Sequence, residues 1–237
     1  MGGTGLTFTD LNSAFRNQAG LAFVENLSGM VVGERRFMNS PVNALSAAAA
    51  YPSEFGTFAL TLNYFGIDAF NEQKIGLAYA RQLFDNLAIG VQFDYLNTQI
   101  QEYGSSGAIT FEAGIYSKIS NALSLAVHVY SPARIEWTEG ENLPSIFAVG
   151  LAYQPSNKVV LTAEAEKDID FDTRFRGGVE YLAIEKVWIR AGAATNPVNV
   201  SFGLGYAVSE QLRMDISSVY HQYLGITPGI AVVYTRK

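Results

Sequence analysis

The stretch Leu87-Ala88-Ile89-Gly90-Val91-Gln92-Phe93-Asp94-Tyr95 sorts its residues by parity. Leu87, Ile89, Val91, Phe93 and Tyr95 are large and apolar, whereas Ala88, Gly90, Gln92 and Asp94 are small or polar. A helix mixes odd and even positions on every face; a strand sends successive side chains to opposite sides. The same sorting sets Leu123, Leu125, Val127 and Val129 against Ser124, Ala126 and His128. Further on it sets Leu161, Ala163 and Ala165 against Thr162, Glu164 and Glu166. Tyr116 breaks parity with Phe111 and Ile115, which implies either a bulge or an inward-pointing tyrosine.

Tyrosines recur just before short polar turns: Tyr51, Tyr79, Tyr116, Tyr153, Tyr181, Tyr206 and Tyr234. Their closer spacings, such as 25 residues from Tyr181 to Tyr206, match one hairpin with its connections. A tyrosine at one end of every second strand makes a ring only if the strands close on themselves. Such rings belong at a membrane–water boundary, where the aromatic body sits in the apolar layer and the hydroxyl among headgroups. Tyr51, Tyr79, Tyr153, Tyr181, Tyr206 and Tyr234 are accordingly read as an interface girdle. The fold expected is all-β, a transmembrane antiparallel β-barrel.

Composition agrees. The 237 residues are 49% hydrophobic and 16% charged, with a mean hydropathy of +0.11, yet no segment is long and apolar enough to suggest a membrane helix. A soluble β-sandwich or solenoid is the competing class. The net charge of −6 and pI near 5.0 argue against nucleic acid as a partner. With no cysteine, disulfides and a lipidated N-terminal Cys are excluded. Met1-Gly2-Gly3 leads into polar residues without an apolar signal core, so a precursor with a cleaved export signal is expected.

Residues 1–28 read as an N-terminal plug segment, with Thr9 or Asp10 capping a short helix over Leu11–Arg16 and a loop through Gly20. Residues 29–237 read as the barrel, with about fourteen strands at 29–37, 44–52, 56–66, 73–82, 87–101, 108–119, 122–132, 144–154, 158–168, 173–182, 186–195, 199–208, 211–221 and 227–236. Short turns follow the tyrosine-bearing strands, while the other connections are mostly longer, notably Pro132–Leu143. Short turns on the periplasmic side and an even strand count place both termini in the periplasm of a Gram-negative cell, with outer-membrane lipid as the surroundings.

Parity also assigns the inner face: Asp94, Glu112, His128, Glu164, Glu166, Arg176, Glu180, Arg190, Arg213 and Asp215. One reading is a charged constriction. The preferred reading is a satisfied polar network that fixes the plug, since buried charges need partners. Gly76, Ala78, Ala80, Gly114, Gly150, Gly178, Gly203 and Gly205 on the same face leave room for it.

Catalytic signals are thin. No GxSxG or HExxH occurs, and Ser124 and His128 lie about 13 Å apart on one strand face. Asp168-Ile169-Asp170-Phe171-Asp172 begins like a calcium loop, but Thr173 and Val179 replace its Gly and bidentate Glu. No enzyme, catalytic residue, metal or cofactor is expected.

Met1-Gly2-Gly3-Thr4-Gly5, Asp10 and Asn17-Gln18-Ala19-Gly20-Leu21-Ala22 resemble the start of mature FadL-type outer-membrane proteins, closest to the small PorV/PorQ-like branch of Bacteroidetes. Gly2, Gly3, Asp10, Asn17, Gln18 and Gly20 carry the likeness, with Gln18 at the family's usual proline. The resemblance implies a fourteen-stranded barrel with an N-terminal plug. It also implies either of two functions. One is an accessory or scaffold subunit of a larger outer-membrane protein secretion or assembly complex. The other is a FadL-like channel for small hydrophobic molecules. Brief outer loops and a polar inner face favour the accessory role.

Overall fold

The computed structural model describes residues 1–38, 40–138 and 141–237. Its strands are β1 (Ser28–Arg35), β2 (Asn43–Ser53), β3 (Gly56–Ile67), β4 (Phe70–Phe84), β5 (Leu87–Ile100), β6 (Gly104–Lys118), β7 (Leu123–Tyr130), β8 (Glu136–Thr138), β9 (Glu141–Asn142), β10 (Ile146–Ser156), β11 (Val159–Asp168), β12 (Arg174–Ile184), β13 (Val187–Ala194), β14 (Asn199–Ala207), β15 (Leu212–His221) and β16 (Gly225–Thr235). All but β8 and β9 join one closed barrel of fourteen strands, in which β1 pairs antiparallel with both β2 and β16. The expected fold class and strand count are therefore found. Closure leaves the barrel sheet without a free edge, the condition for a sheet to stand in lipid. Among the described residues no helix is long and apolar enough to cross a membrane.

The parity of β5 shows how sequence becomes wall. Phe93 is 64% exposed on the outside, while its neighbours Gln92 and Asp94 are each 1% exposed inside. Leu77, Ile109, Leu151, Phe202 and Ile216 continue the apolar exterior on other strands. Tyr51, Tyr153, Tyr181, Tyr206 and Tyr234 also face outward, and Tyr79 donates its hydroxyl to Phe55 O at 2.6 Å. Tyr116 turns inward instead, bonded to Ser124 Oγ at 2.8 Å and packed edge-on against Phe23.

Two-residue turns at Glu54-Phe55, Asp85-Asn86, Asn157-Lys158 and Glu185-Lys186 close the tyrosine-bearing end. In the first, Gly56 has φ +133, and a Cβ there would press on Ala80 O at 2.6 Å, so glycine is required. The opposite end is less uniform than expected. Asp68-Ala69 is also a two-residue turn, whereas Ser131–Ser145 is long and carries the β8–β9 hairpin. That loop folds back: Ser106 Oγ donates to Trp137 O at 2.7 Å, and Leu143 is buried.

The N-terminal segment differs from expectation in its helices. Leu11–Phe15 is a 3-10 helix capped by Asp10, whose Oδ1 accepts from Asn12 N at 3.0 Å. Gln18–Phe23, read as loop, is a second 3-10 helix capped by Asn17, whose Oδ1 accepts from Ala19 N at 3.2 Å. Pieces this short have no apolar periodicity to read, and their side-chain caps set them instead.

Candidate functional site in the barrel lumen

The segment winds around the inner wall at the level where the wall has no side chains. A Cβ on Gly192 would strike Gly2 N, one on Gly178 would meet Met1 O at 2.7 Å, and one on Gly150 would meet Leu6 Cβ at 3.1 Å. Farther round, Gly114 faces Asn17 Oδ1, and Gly90 faces the Gln18–Ala19 peptide. These glycines form a groove cut for a second backbone. Apolar packing completes the seat: Leu11, Ala14 and Leu21 lie against Met30, Ala48, Ala59, Ala78 and Ala80, and Leu6 and Ala19 against Tyr116, Ala126 and Ala148.

Polar anchors fix the register. Gly2 N donates to Ser201 Oγ at 2.6 Å, and Gly5 N and Leu6 N both donate to Glu164 Oε1 at 2.6 and 2.7 Å. Asn17 Nδ2 donates to Leu6 O and to Ile115 O, and Gln18 Nε2 to Glu112 Oε2 at 2.9 Å. Gln18 and Asn17 are fully buried. Asp10 reaches Arg213 at 3.5 Å.

The inward charges fall into three groups. Glu112 is held by Lys74 Nζ at 2.7 Å and His128 Nε2 at 3.0 Å, with Asp94 beside it receiving Gln92 Nε2 at 2.8 Å. Arg176 grips Glu166 through both terminal nitrogens at 2.7 and 2.5 Å, while Arg16 of the segment meets Glu164 at 3.3 Å. Arg190 bridges Glu180, at 2.6 Å, and Asp215, which also accepts from Arg213 at 3.0 Å. Each sequence-assigned inner residue thus stands in a charged contact within the lumen.

Lys74 and Arg16, both central to these groups, were not singled out from sequence. Lys74 shares parity with Gly76, Ala78 and Ala80, a signal sufficient to place it inside. Arg16 had none, because a 3-10 turn does not sort residues by face. Ser124 and His128 serve different partners, Tyr116 and Glu112. In the acidic loop, Asp168 Oδ1 accepts from Asp170 N, and Asp170 pairs with Arg134 at 3.4 Å. Among the described residues no group of three or more His, Cys, Asp or Glu is arranged to hold a metal.

Between segment and wall lies a cavity of about 510 Å³. Phe8, Val32, Tyr116, Val160 and Trp188 supply its apolar lining, and it reaches the turn residues Asn121 and Ala122 at the tyrosine-bearing end.

Gln18 permits a pointed test of the anchors. Proline fits the first position of a helix, and Asn17, at φ −159 and ψ 102, already has the extended conformation that a following proline demands. Gln18→Pro should keep the turn but lose the Glu112 bond, weakening segment seating by about 1.5–3 kcal/mol. Limited proteolysis of the folded protein would show faster cleavage within residues 1–27.

A closed antiparallel barrel with an apolar exterior and its own N-terminal segment seated in the lumen defines a β-barrel of the outer-membrane type. No protein-family model and no curated protein matches the chain. Solved structures do share its fold. The toluene transporter TbuX of Ralstonia pickettii superimposes with a TM-score of 0.80 at 11% identity, over 100% of this chain and 97% of that one. A FadL homologue of Pseudomonas aeruginosa gives 0.70 at 12% identity, covering 99% and 96%. The monoaromatic hydrocarbon channel CymD gives 0.73 at 14%, covering 99% and 95%. At these identities the likeness is one of fold.

Proposed function

We propose that the chain is a FadL-type channel in the outer membrane of a Gram-negative bacterium, passing small hydrophobic molecules, with residues 1–27 as its plug and both termini periplasmic. The observation that carries this reading is the partly apolar cavity left between the seated segment and the wall. A barrel built only as a scaffold gains nothing from a space of this size beside a segment so firmly anchored. The structures of the same fold bear names of hydrocarbon transporters and channels, which supports transport over chemistry. An accessory role in a larger outer-membrane complex rests on the N-terminal resemblance and the short outer loops, and has the weaker support.

The test is uptake of labelled toluene by cells with an intact lipopolysaccharide layer, with and without the protein. Uptake should rise severalfold, and planar-bilayer conductance should rise further when residues 1–24 are deleted. Uptake no greater than in cells lacking the barrel defeats the reading.

A further inference from the structure

The inner-wall glycines are of two kinds. Those on β5, β6, β10, β12 and β13 face the N-terminal segment, as described above. Gly76 on β4, Gly203 and Gly205 on β14 and Gly229 on β16 do not; Gly205 lies under the Arg190–Asp215 ion pair. A Cβ at Gly203 would meet Ile216 O at 3.3 Å and Arg190 Cβ at 3.7 Å; one at Gly229 would meet Ser217 Oγ at 2.7 Å and Glu34 Cγ at 3.2 Å. Every one of those atoms belongs to the barrel wall. Ser217 on β15 stands between them, paired across the ladder with both, and it is exposed although its face is the lumen. At the row of Gly203, Ser217 and Gly229 the inner wall is therefore a short strip with few side chains and no segment atom against it, while to either side the segment bonds Ser201 on β14 and meets Arg213 on β15.

This strip has definite ends. One row toward the tyrosine-bearing end, Asp215, Ala231 and Val32 follow Ser217, Gly229 and Glu34, and all three line the 510 Å³ cavity. Arg190, which also borders that cavity, flanks the strip on β13, tied to Glu180 and Asp215. From Asp215 the ion pairs run on to Arg213 and then to Asp10 of the segment. At the far end Phe37 crosses the same strands: its N–H donates to Thr227 Oγ1 at 3.1 Å, and its ring meets His221 edge-on at 6.2 Å.

We propose that solute crosses the barrel along this strip, beside the seated segment, and that the Arg213–Asp10 contact sets the width of its inner end. This deepens the channel reading and rests on it. Ejecting the segment would break its bonds to Ser201, Glu164, Ile115 and Glu112 together, whereas passage over β15 and β16, beside Ser201 on β14, breaks none of them. The plug is then a permanent part of the conduit that narrows the lumen to one side.

The absence of cysteine makes the route testable by single substitutions. Ser217→Cys and Ala231→Cys place a thiol on the strip and in the cavity, while Ala126→Cys places one beneath the segment, where the native side chain is buried. Each variant, checked for heat-modifiable mobility as a sign of a folded barrel, is compared before and after a bulky membrane-impermeant methanethiosulfonate. Toluene uptake should fall at least fivefold on modification of Ser217→Cys and Ala231→Cys, and Ala126→Cys should neither react nor change. Full modification of the first two with uptake intact overturns the route while leaving the channel standing, as does failure of either thiol to react. Absence of uptake by the unsubstituted protein overturns the channel and the route together.

Discussion

Glu164→Leu should unseat the N-terminal segment and leave the barrel standing. Glu164 Oε1 receives both Gly5 N and Leu6 N, and its other oxygen meets Arg16 at 3.3 Å. Leucine matches its bulk but offers no acceptor, so two buried amides lose their partner. An orphaned buried donor costs about 1–3 kcal/mol, and bonds to a charged acceptor lie at the upper end. Arg176 is not stranded, because it keeps both bonds to Glu166, and Arg16 retains Glu166 at 3.8 Å. The penalty therefore falls on the segment rather than on the wall. A loss of about 3–5 kcal/mol raises the unseated fraction by roughly two to four powers of ten. Residues 1–27 should become protease-sensitive, and planar-bilayer conductance should approach that of the chain lacking residues 1–24. Unchanged cleavage and conductance would show that Glu164 does not hold the segment.

How far the sequence discloses this arrangement depends on how local each signal is. Strand parity is set by successive residues, so the fourteen barrel strands and the direction of Asp94 or Arg190 can be read directly. Register between adjacent strands is nearly as accessible. The connection between β11 and β12 sets Glu164 opposite Arg176, whereas the turn at Glu185-Lys186 brings Glu180 opposite Arg190 only with the register shift between Leu182 and Ile184. Contacts between segment and wall are different. Gly5 and Glu164 are 159 residues apart, joined by no turn geometry, and the chain gives no rule for which carboxylate meets which amide. Inward glycines announce that something lies against the wall, without saying where it stops. The distinction between Gly90, which touches the segment, and Gly203, which does not, exists only in three dimensions.

That distinction predicts opposite results from one kind of substitution. Gly90→Leu places a side chain where the Gln18–Ala19 peptide lies, with Gln18 O only 2.7 Å from the new Cβ. The obstruction is backbone in the buried first turn of a capped helix, so no rotamer change relieves it. Overpacking of this kind costs about 1–3 kcal/mol or more. The helix must lift, which also removes the Gln18–Glu112 bond. Glu112 stays paired with Lys74 and His128, so the wall remains satisfied. On the outer face β5 keeps its apolar residues, and the barrel should still insert and show heat-modifiable mobility. Conductance should rise roughly tenfold or more, following the shift in seated population. At Gly203→Leu the new Cβ has only wall atoms as its nearest neighbours; the variant should leave residues 1–27 protected and reduce toluene uptake by filling the strip at Gly203, Ser217 and Gly229. Equal effects from the two variants, in either direction, would mean that the segment and the open strip do not divide the lumen between them.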